Sequence, residues 1–80
     1  MFFLRHIKHI KQLKQPQKSL NDYNQAIKLN SQSTQAYYNR GTLYRKLGEA
    51  EKALKDLNQA IELNSQFTDA YIQRGIILVD

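Results

Sequence analysis

The residues of this chain that are able to act as acids, bases or metal ligands are two histidines and seven carboxylates. His6 and His9 are three positions apart, so a helix would place both imidazoles on one side and offer two nitrogens to a metal ion. The chain contains no cysteine, and no carboxylate precedes Asp22. We therefore expect no metal site, no thiol catalysis and no disulfide.

Three of the carboxylates lie four positions from a lysine, which is the spacing of ion pairs on a solvated helix surface. These pairs are Lys18/Asp22, Glu51/Lys55 and Lys52/Asp56. The sequence contains no glycine-rich phosphate loop, no Gly-x-Ser-x-Gly elbow and no His-Glu-x-x-His motif. We therefore predict a protein that is not an enzyme and that holds no cofactor.

The positive charge is concentrated at one end of the chain. Lys and Arg number 12 against 7 Asp and Glu, a net charge of +5 in 80 residues. Residues 1–21 contain no acid, and their bases are Arg5, Lys8, Lys11, Lys14 and Lys18. A helix here would carry bases on one side and apolar residues on the other, which suits an anionic membrane surface or nucleic acid. The alternative is a solvated outer helix face.

The longest apolar runs, at 1–4 and 76–79, are too short for a membrane-spanning helix, which needs about 20 residues, or for a signal-peptide core of about 7–15. We expect neither. Without cysteine, the composition favours a soluble intracellular protein, although the location itself stays undetermined.

An internal repeat organises the chain. Residues 19–32 and 53–66 are offset by 34 positions and are identical at ten of fourteen positions. Extending the comparison to 19–46 against 53–80 gives fifteen identities in twenty-eight positions. A period of this length predicts stacked supersecondary units instead of one irregular core.

The period and the residues at its fixed positions resemble the tetratricopeptide repeat, a helix–turn–helix unit. The matching residues are Tyr37, Gly41, Tyr44, Ala53, Leu57 and Ala60. Ser31 and Ser65 stand where the family has a terminating Pro, and Arg40 and Arg74 stand where it usually has Leu. The resemblance implies an all-α fold, in which antiparallel helix pairs form a right-handed α-solenoid.

In phase with the repeat, the sequence predicts about five helices in a single domain. The predicted units are a degenerate N-terminal repeat at 1–33, a complete repeat at 34–67 and the first helix of an incomplete third repeat at 68–80. The predicted helices are Phe2–Lys14 and approximately 17–30, 34–47, 50–63 and 69–79, with Pro16 in the first turn. Whether the chain is a piece of a longer array is left open.

The resemblance implies a protein–protein interaction module in which the first helices of successive repeats line a concave groove. On a helical wheel, one stripe avoids the predicted packing face of Ala36, Arg40, Leu43 and Tyr44. The predicted groove residues are Gln35, Tyr38, Asn39, Thr42, Arg45 and Lys46, continued by Asp69, Ile72 and Gln73. Amides, hydroxyls and cations in one stripe suit a peptide or protein partner. The alternative is that these residues are merely exposed.

One subfamily clamps the carboxylate of chaperone C-terminal tails with Lys, Arg and Asn side chains. Asn39 matches that pattern, but Leu4, Lys8, Asp69 and Gln73 do not. We therefore do not expect a chaperone tail as the partner, and the sequence does not identify another.

The last predicted helix is apolar on two sides. Its packing face is predicted to carry Tyr71, Arg74, Ile77 and Leu78, and its groove stripe is apolar at Ile72, Ile76 and Val79. Such surfaces mark interfaces. We predict self-association as a two-fold dimer through Ile72, Ile76, Ile77 and Val79. The alternative is a following helix of a longer array.

Overall fold

The computed structural model describes residues 15–79, which form four α-helices and no strand. The helices are α1 (Pro16–Leu29), α2 (Thr34–Lys46), α3 (Ala50–Leu63) and α4 (Thr68–Leu78). The prediction of an all-α helical repeat is confirmed. The predicted first helix, Phe2–Lys14, lies outside the described residues.

The same short polar turn follows α1 and α3. The Asn30 side chain accepts a hydrogen bond from the Gln32 amide, and the Asn64 side chain accepts one from the Gln66 amide, both at 3.0 Å. These turns satisfy the backbone where α1 and α3 end. They explain why a helix ends here without the proline that is usual in the family.

Local sequence also determines the ends of α1 and α2. Pro16 is the first residue of α1 and not part of a turn as predicted, because the first turn of a helix needs no amide donor from that residue. Ser33 caps α2 by accepting a hydrogen bond from the Ala36 amide at 3.2 Å. Gly48 follows α2 with φ of 81°, the left-handed conformation that favours glycine after a helix.

The helices pack as antiparallel neighbours in chain order, and the most extensive contact is between α2 and α3. The core is a cluster of Leu57, Ala60 and Ala70, which joins α3 to α4. Half-buried apolar side chains surround this cluster; they are Tyr37, Tyr38, Ile61, Phe67 and Ile77. Because two of the three residues in this cluster are alanines, the chain buries little volume and depends on close helix approach.

At Gly41, α2 and α3 approach each other closely. A Cβ atom placed on Gly41 would lie 3.0 Å from Cγ of Leu57 and 3.2 Å from the carbonyl oxygen of Ala53. One repeat later, a Cβ atom on Gly75 would have no neighbour within 4 Å. The same repeat position is therefore crowded in α2 and open in α4.

This contrast gives a matched pair of variants. Both Gly41→Ala and Gly75→Ala gain the intrinsic preference of alanine for a helix, but only Gly41→Ala forces the helices apart. We expect Gly41→Ala to be less stable than Gly75→Ala by about 1–3 kcal/mol in urea denaturation at low protein concentration. Equal free energies of unfolding would contradict the close approach at Gly41.

Candidate functional site

The strongest polar contact in the described residues joins α2 to α3. Arg40 donates to both oxygens of Asp56, from Nε at 2.7 Å and from one terminal nitrogen at 2.8 Å. Asp56 is only 3% exposed, so the predicted solvated Lys52/Asp56 pair is wrong. Lys52 instead contacts Glu49 at 3.0 Å. A carboxylate this buried needs the planar, two-pronged donor that an arginine provides.

Arg40 also contacts α1 and two aromatic rings of its own helix. Its other terminal nitrogen donates to the side-chain oxygen of Asn24 on α1 at 2.8 Å, and its guanidinium lies 5.8 Å and 5.9 Å from the ring centroids of Tyr37 and Tyr44. The hydrogen bond to Asp56 raises the pKa of Arg40 above its ordinary value, although burial opposes this. The pair, with Asn24, is thus a structural junction of α1, α2 and α3.

Half of this junction recurs one repeat later. Arg74 donates to the side-chain oxygen of Asn58 at 2.8 Å, as Arg40 does to Asn24, and it lies 5.3 Å from the ring centroid of Tyr71. Among the described residues, no carboxylate pairs with Arg74. Sequence reasoning missed this junction, although the signal was present, because Arg, Asp and Asn all recur at the 34-residue offset.

The predicted groove stripe of α2 is divided between solvent and packing. Gln35 and Lys46 are exposed, and Gln35 donates to the Asn39 side chain at 2.9 Å. Tyr38 does not avoid the packing face as predicted. Its ring centroid lies 5.1 Å from that of Phe67, in an edge-to-face contact beside the core. The reason is that Phe67, which lies between α3 and α4, contacts the half-buried Tyr38 ring.

Groove residues of the two successive first helices, α2 and α4, meet at one point. Arg45 Nε donates to the Gln73 side chain at 2.7 Å. On the same helix as Gln73, Asp69 is exposed and Ile72 is 53% exposed. The fold therefore brings Arg45 and Gln73 together and leaves Asp69 and Ile72 beside them at the surface.

A shallow cavity of about 220 Å³ lies between α1 and α2. It is lined by Ser19, Tyr23, Tyr38, Asn39, Thr42, Leu43 and Lys46. The hydroxyl of Thr42 is buried and has no hydrogen-bond partner in the described part of the chain. The cavity is smaller than typical small-molecule sites, which hold about 300–1,000 Å³, and it suits a single side chain of a partner.

The surface of α4 differs from the prediction at two places. Ile77, predicted to contribute to self-association, packs against the core cluster of its own chain. Leu78, predicted to be on the packing face, is 63% exposed, and Tyr71 is also exposed. The packing face was inferred by analogy with α2, whose corresponding face is covered by α3. Within residues 15–79 no helix covers Tyr71 or Leu78, whereas Ile77, which is also predicted on the packing face, does pack against the core. Ile76 and Val79 are exposed as well.

Other candidate chemistry falls partly outside the described residues. His6, His9 and the basic residues before position 15 lie there, as do Leu4 and Lys8 of the chaperone-tail comparison. Within residues 15–79, no group of three or more His, Cys, Asp or Glu side chains is arranged to hold a metal ion. Over the same range, none of the helices combines the length and apolarity that crossing a membrane requires.

Two family models match the chain. The model described as the tetratricopeptide repeat matches residues 34–67, and a model described as TPR repeat matches residues 11–48. The chain matches no curated protein and no solved structure. Repeats of this type generally mediate protein–protein interaction and are typically non-enzymatic. The first match spans one 34-residue unit and the helix pair α2 and α3, and the chain belongs to the tetratricopeptide repeat family.

Proposed function

We propose that this protein is a non-enzymatic interaction module that binds a peptide or protein partner in a groove lined by α2 and α4. The observation that carries the proposal is the hydrogen bond from Arg45 to Gln73, because it joins the two helices along the predicted groove. Around it, Lys46, Asp69 and Ile72 are exposed. An exposed cation on α2, and an exposed acid and aliphatic side chain on α4, offer a partner both charge and apolar contact.

The exposed residues Lys46, Asp69 and Ile72 favour a partner that has both charged and apolar groups. Asp69 is an exposed acid where a clamp for a terminal carboxylate needs a cation, so it would repel such a ligand. Asn39 and Gln73 already hold hydrogen bonds with Gln35 and Arg45. We therefore propose an internal peptide segment with apolar and charged residues as the ligand, and not a chaperone tail.

Self-association through α4 is the second part of the proposed function. Ile72, Ile76 and Val79 form an exposed apolar strip, and Val79 is 81% exposed. Monomeric proteins rarely leave such strips uncovered. A second copy of the chain is the partner that this strip favours.

The groove proposal is tested with a displayed library of random peptides selected against the whole chain. Selected peptides are then measured by fluorescence polarisation against the double variant Lys46→Ala, Ile72→Ala. Both residues are exposed, so the fold should tolerate the change. We expect the double variant to lose at least about tenfold in affinity, which is about 1.4 kcal/mol.

The matched control is Lys55→Ala with Glu62→Ala, two exposed residues of α3, which is a second helix of the repeat and not a groove helix. We expect this control to bind selected peptides within about twofold of the unchanged chain. Equal loss in both double variants, or selection of no peptide at all, would contradict the groove.

A further inference from the structure

The exposed side of α4 carries the same residue types with which α2 packs against α3. On α2 the residues facing α3 include an aromatic, an arginine and the closely approached Gly41, and the same types recur on α4 at positions 34 residues later. The corresponding pairs are Tyr37/Tyr71, Arg40/Arg74, Gly41/Gly75 and Tyr44/Leu78. In α2 this face is covered, whereas in α4 Tyr71, Gly75 and Leu78 are exposed. The face of α4 is thus a preformed half of a helix–helix contact.

The polar part of this half-contact is already oriented. Arg74 uses one terminal nitrogen to bind Asn58, just as Arg40 uses one to bind Asn24. Arg40 directs its Nε and its second terminal nitrogen to Asp56. The corresponding edge of Arg74 meets no carboxylate among residues 15–79. A guanidinium in this orientation is able to donate two hydrogen bonds to a carboxylate on a helix that packs as α3 does.

The other half of the contact lies on α1. The α3 residues facing α2 are Ala53, Asp56, Leu57 and Ala60, and their counterparts on α1 are Ser19, Asp22, Tyr23 and Ala26. Asp56 and Ala60 are buried, but Asp22 and Ala26 are exposed. No hydrogen bond or ion pair to the Asp22 carboxylate is formed within the part of the chain that the structure describes. Each end of the described fold therefore offers one member of an ion pair, Arg74 on α4 and Asp22 on α1.

We propose that α4 of one copy packs on α1 of a second copy, with Arg74 paired to Asp22 in the manner of Arg40 and Asp56. This inference rests on the self-association in the proposed function. It moves the contact from the Ile72, Ile76 and Val79 strip to the neighbouring face of Tyr71, Arg74, Gly75 and Leu78, with Val79 at its edge. It replaces a two-fold contact of α4 with α4 by a head-to-tail contact. Because the two surfaces differ, such contacts repeat and build elongated oligomers unless they close into a ring.

The N-terminal sequence of the same chain suits a contact with α1 less well than the sequence of α4 does. In phase with the repeat, His6 stands at the position of Arg74 and Ile7 at the position of Gly75. At the equivalent position in α2, even a single Cβ atom would lie 3.0–3.2 Å from atoms of α3. A β-branched residue would not permit that approach, and a histidine lacks the two-pronged donor. A second copy's α4 has both features.

The proposed register also covers exposed apolar surface. Within the chain, Arg45 of α2 meets Gln73 of α4. In the proposed contact, α4 of one copy lies beside α2 of the next copy, as α2 lies beside α4 within one chain. The residue of α4 that corresponds to Arg45 of α2 is Val79, and the residue of α2 that corresponds to Gln73 of α4 is Asn39. Val79 of one copy would therefore meet Asn39 of the next, and Asn39 lines the shallow cavity between α1 and α2. The contact would therefore place the exposed end of α4 over a cavity that suits one side chain.

The test uses the whole chain in sedimentation velocity over a range of micromolar concentrations. We expect the unchanged chain to associate, and we expect Asp22→Arg and Arg74→Asp each to weaken association at least about tenfold through like charges. An equimolar mixture of the two variants should associate again, because each contact then joins opposite charges. Glu62→Arg, which makes the same charge change at an exposed site of α3, is the matched control and should associate like the unchanged chain.

A second variant separates association from folding. Gly75→Leu adds a side chain where the isolated chain has open space, so helical circular dichroism and thermal stability should be retained while association falls at least about tenfold. A monomeric unchanged chain would overturn both this inference and the proposed self-association. Association that is lost in Ile72→Ser, Val79→Ser but unaffected by Asp22→Arg would overturn the head-to-tail contact alone and support the two-fold dimer.

Discussion

Asp56→Ala should destabilise the chain by about 3 kcal/mol, because it leaves the Arg40 guanidinium without the acceptor that compensates its burial. Both oxygens of Asp56 accept from Arg40, and Asp56 is 3% exposed. The Asn24 contact alone satisfies only one of the arginine donors. Urea denaturation followed by helical circular dichroism measures the difference in the free energy of unfolding.

Two further variants interpret that result. Glu62→Ala removes an exposed acid from the same helix and should change stability by no more than about 0.5 kcal/mol. Replacing both partners, as Arg40→Met with Asp56→Met, should restore much of the loss, since an apolar pair leaves no charge unpaired. Unchanged stability of Asp56→Ala would mean that the pair does not form in solution.

Leu57→Ala is expected to cost about 3 kcal/mol, within the range of about 2–5 kcal/mol for buried leucines. Leu57 is fully buried; it clusters with Ala60 and Ala70 and lies against Gly41 of α2. Its removal leaves a cavity at the meeting point of α2, α3 and α4. In a chain of this size such a loss approaches the whole stability of the fold, so thermal unfolding should lose its cooperativity.

Leu29→Ala is the matched control for this prediction. Leu29 is the last residue of α1 and is 77% exposed, so the same chemical change there should alter stability by no more than about 0.5 kcal/mol. Comparable losses at Leu57 and Leu29 would contradict the placement of the core.

Local sequence was sufficient to predict the four helices that the structure describes. The predicted helix ranges 34–47, 50–63 and 69–79 agree closely with α2, α3 and α4. The reason is that a helix ends where backbone groups find local partners, as at the Asn64 turn, or where the backbone turns left-handed, as at Gly48. The 34-residue period similarly identified the repeat family, because each unit repeats the same small and aromatic contact residues.

The partners of side chains required the tertiary structure. A helical wheel gives the direction in which Asp56, Tyr38 or Leu78 points, but it does not say which helix or loop lies there. Asp56 is buried where it pairs with Arg40 of α2, and Tyr38 is half-buried where its ring contacts Phe67. Leu78 is exposed because the described chain places no helix against that face of α4. Sequence periodicity determines the phase of each helix, whereas burial depends on neighbours distant in sequence.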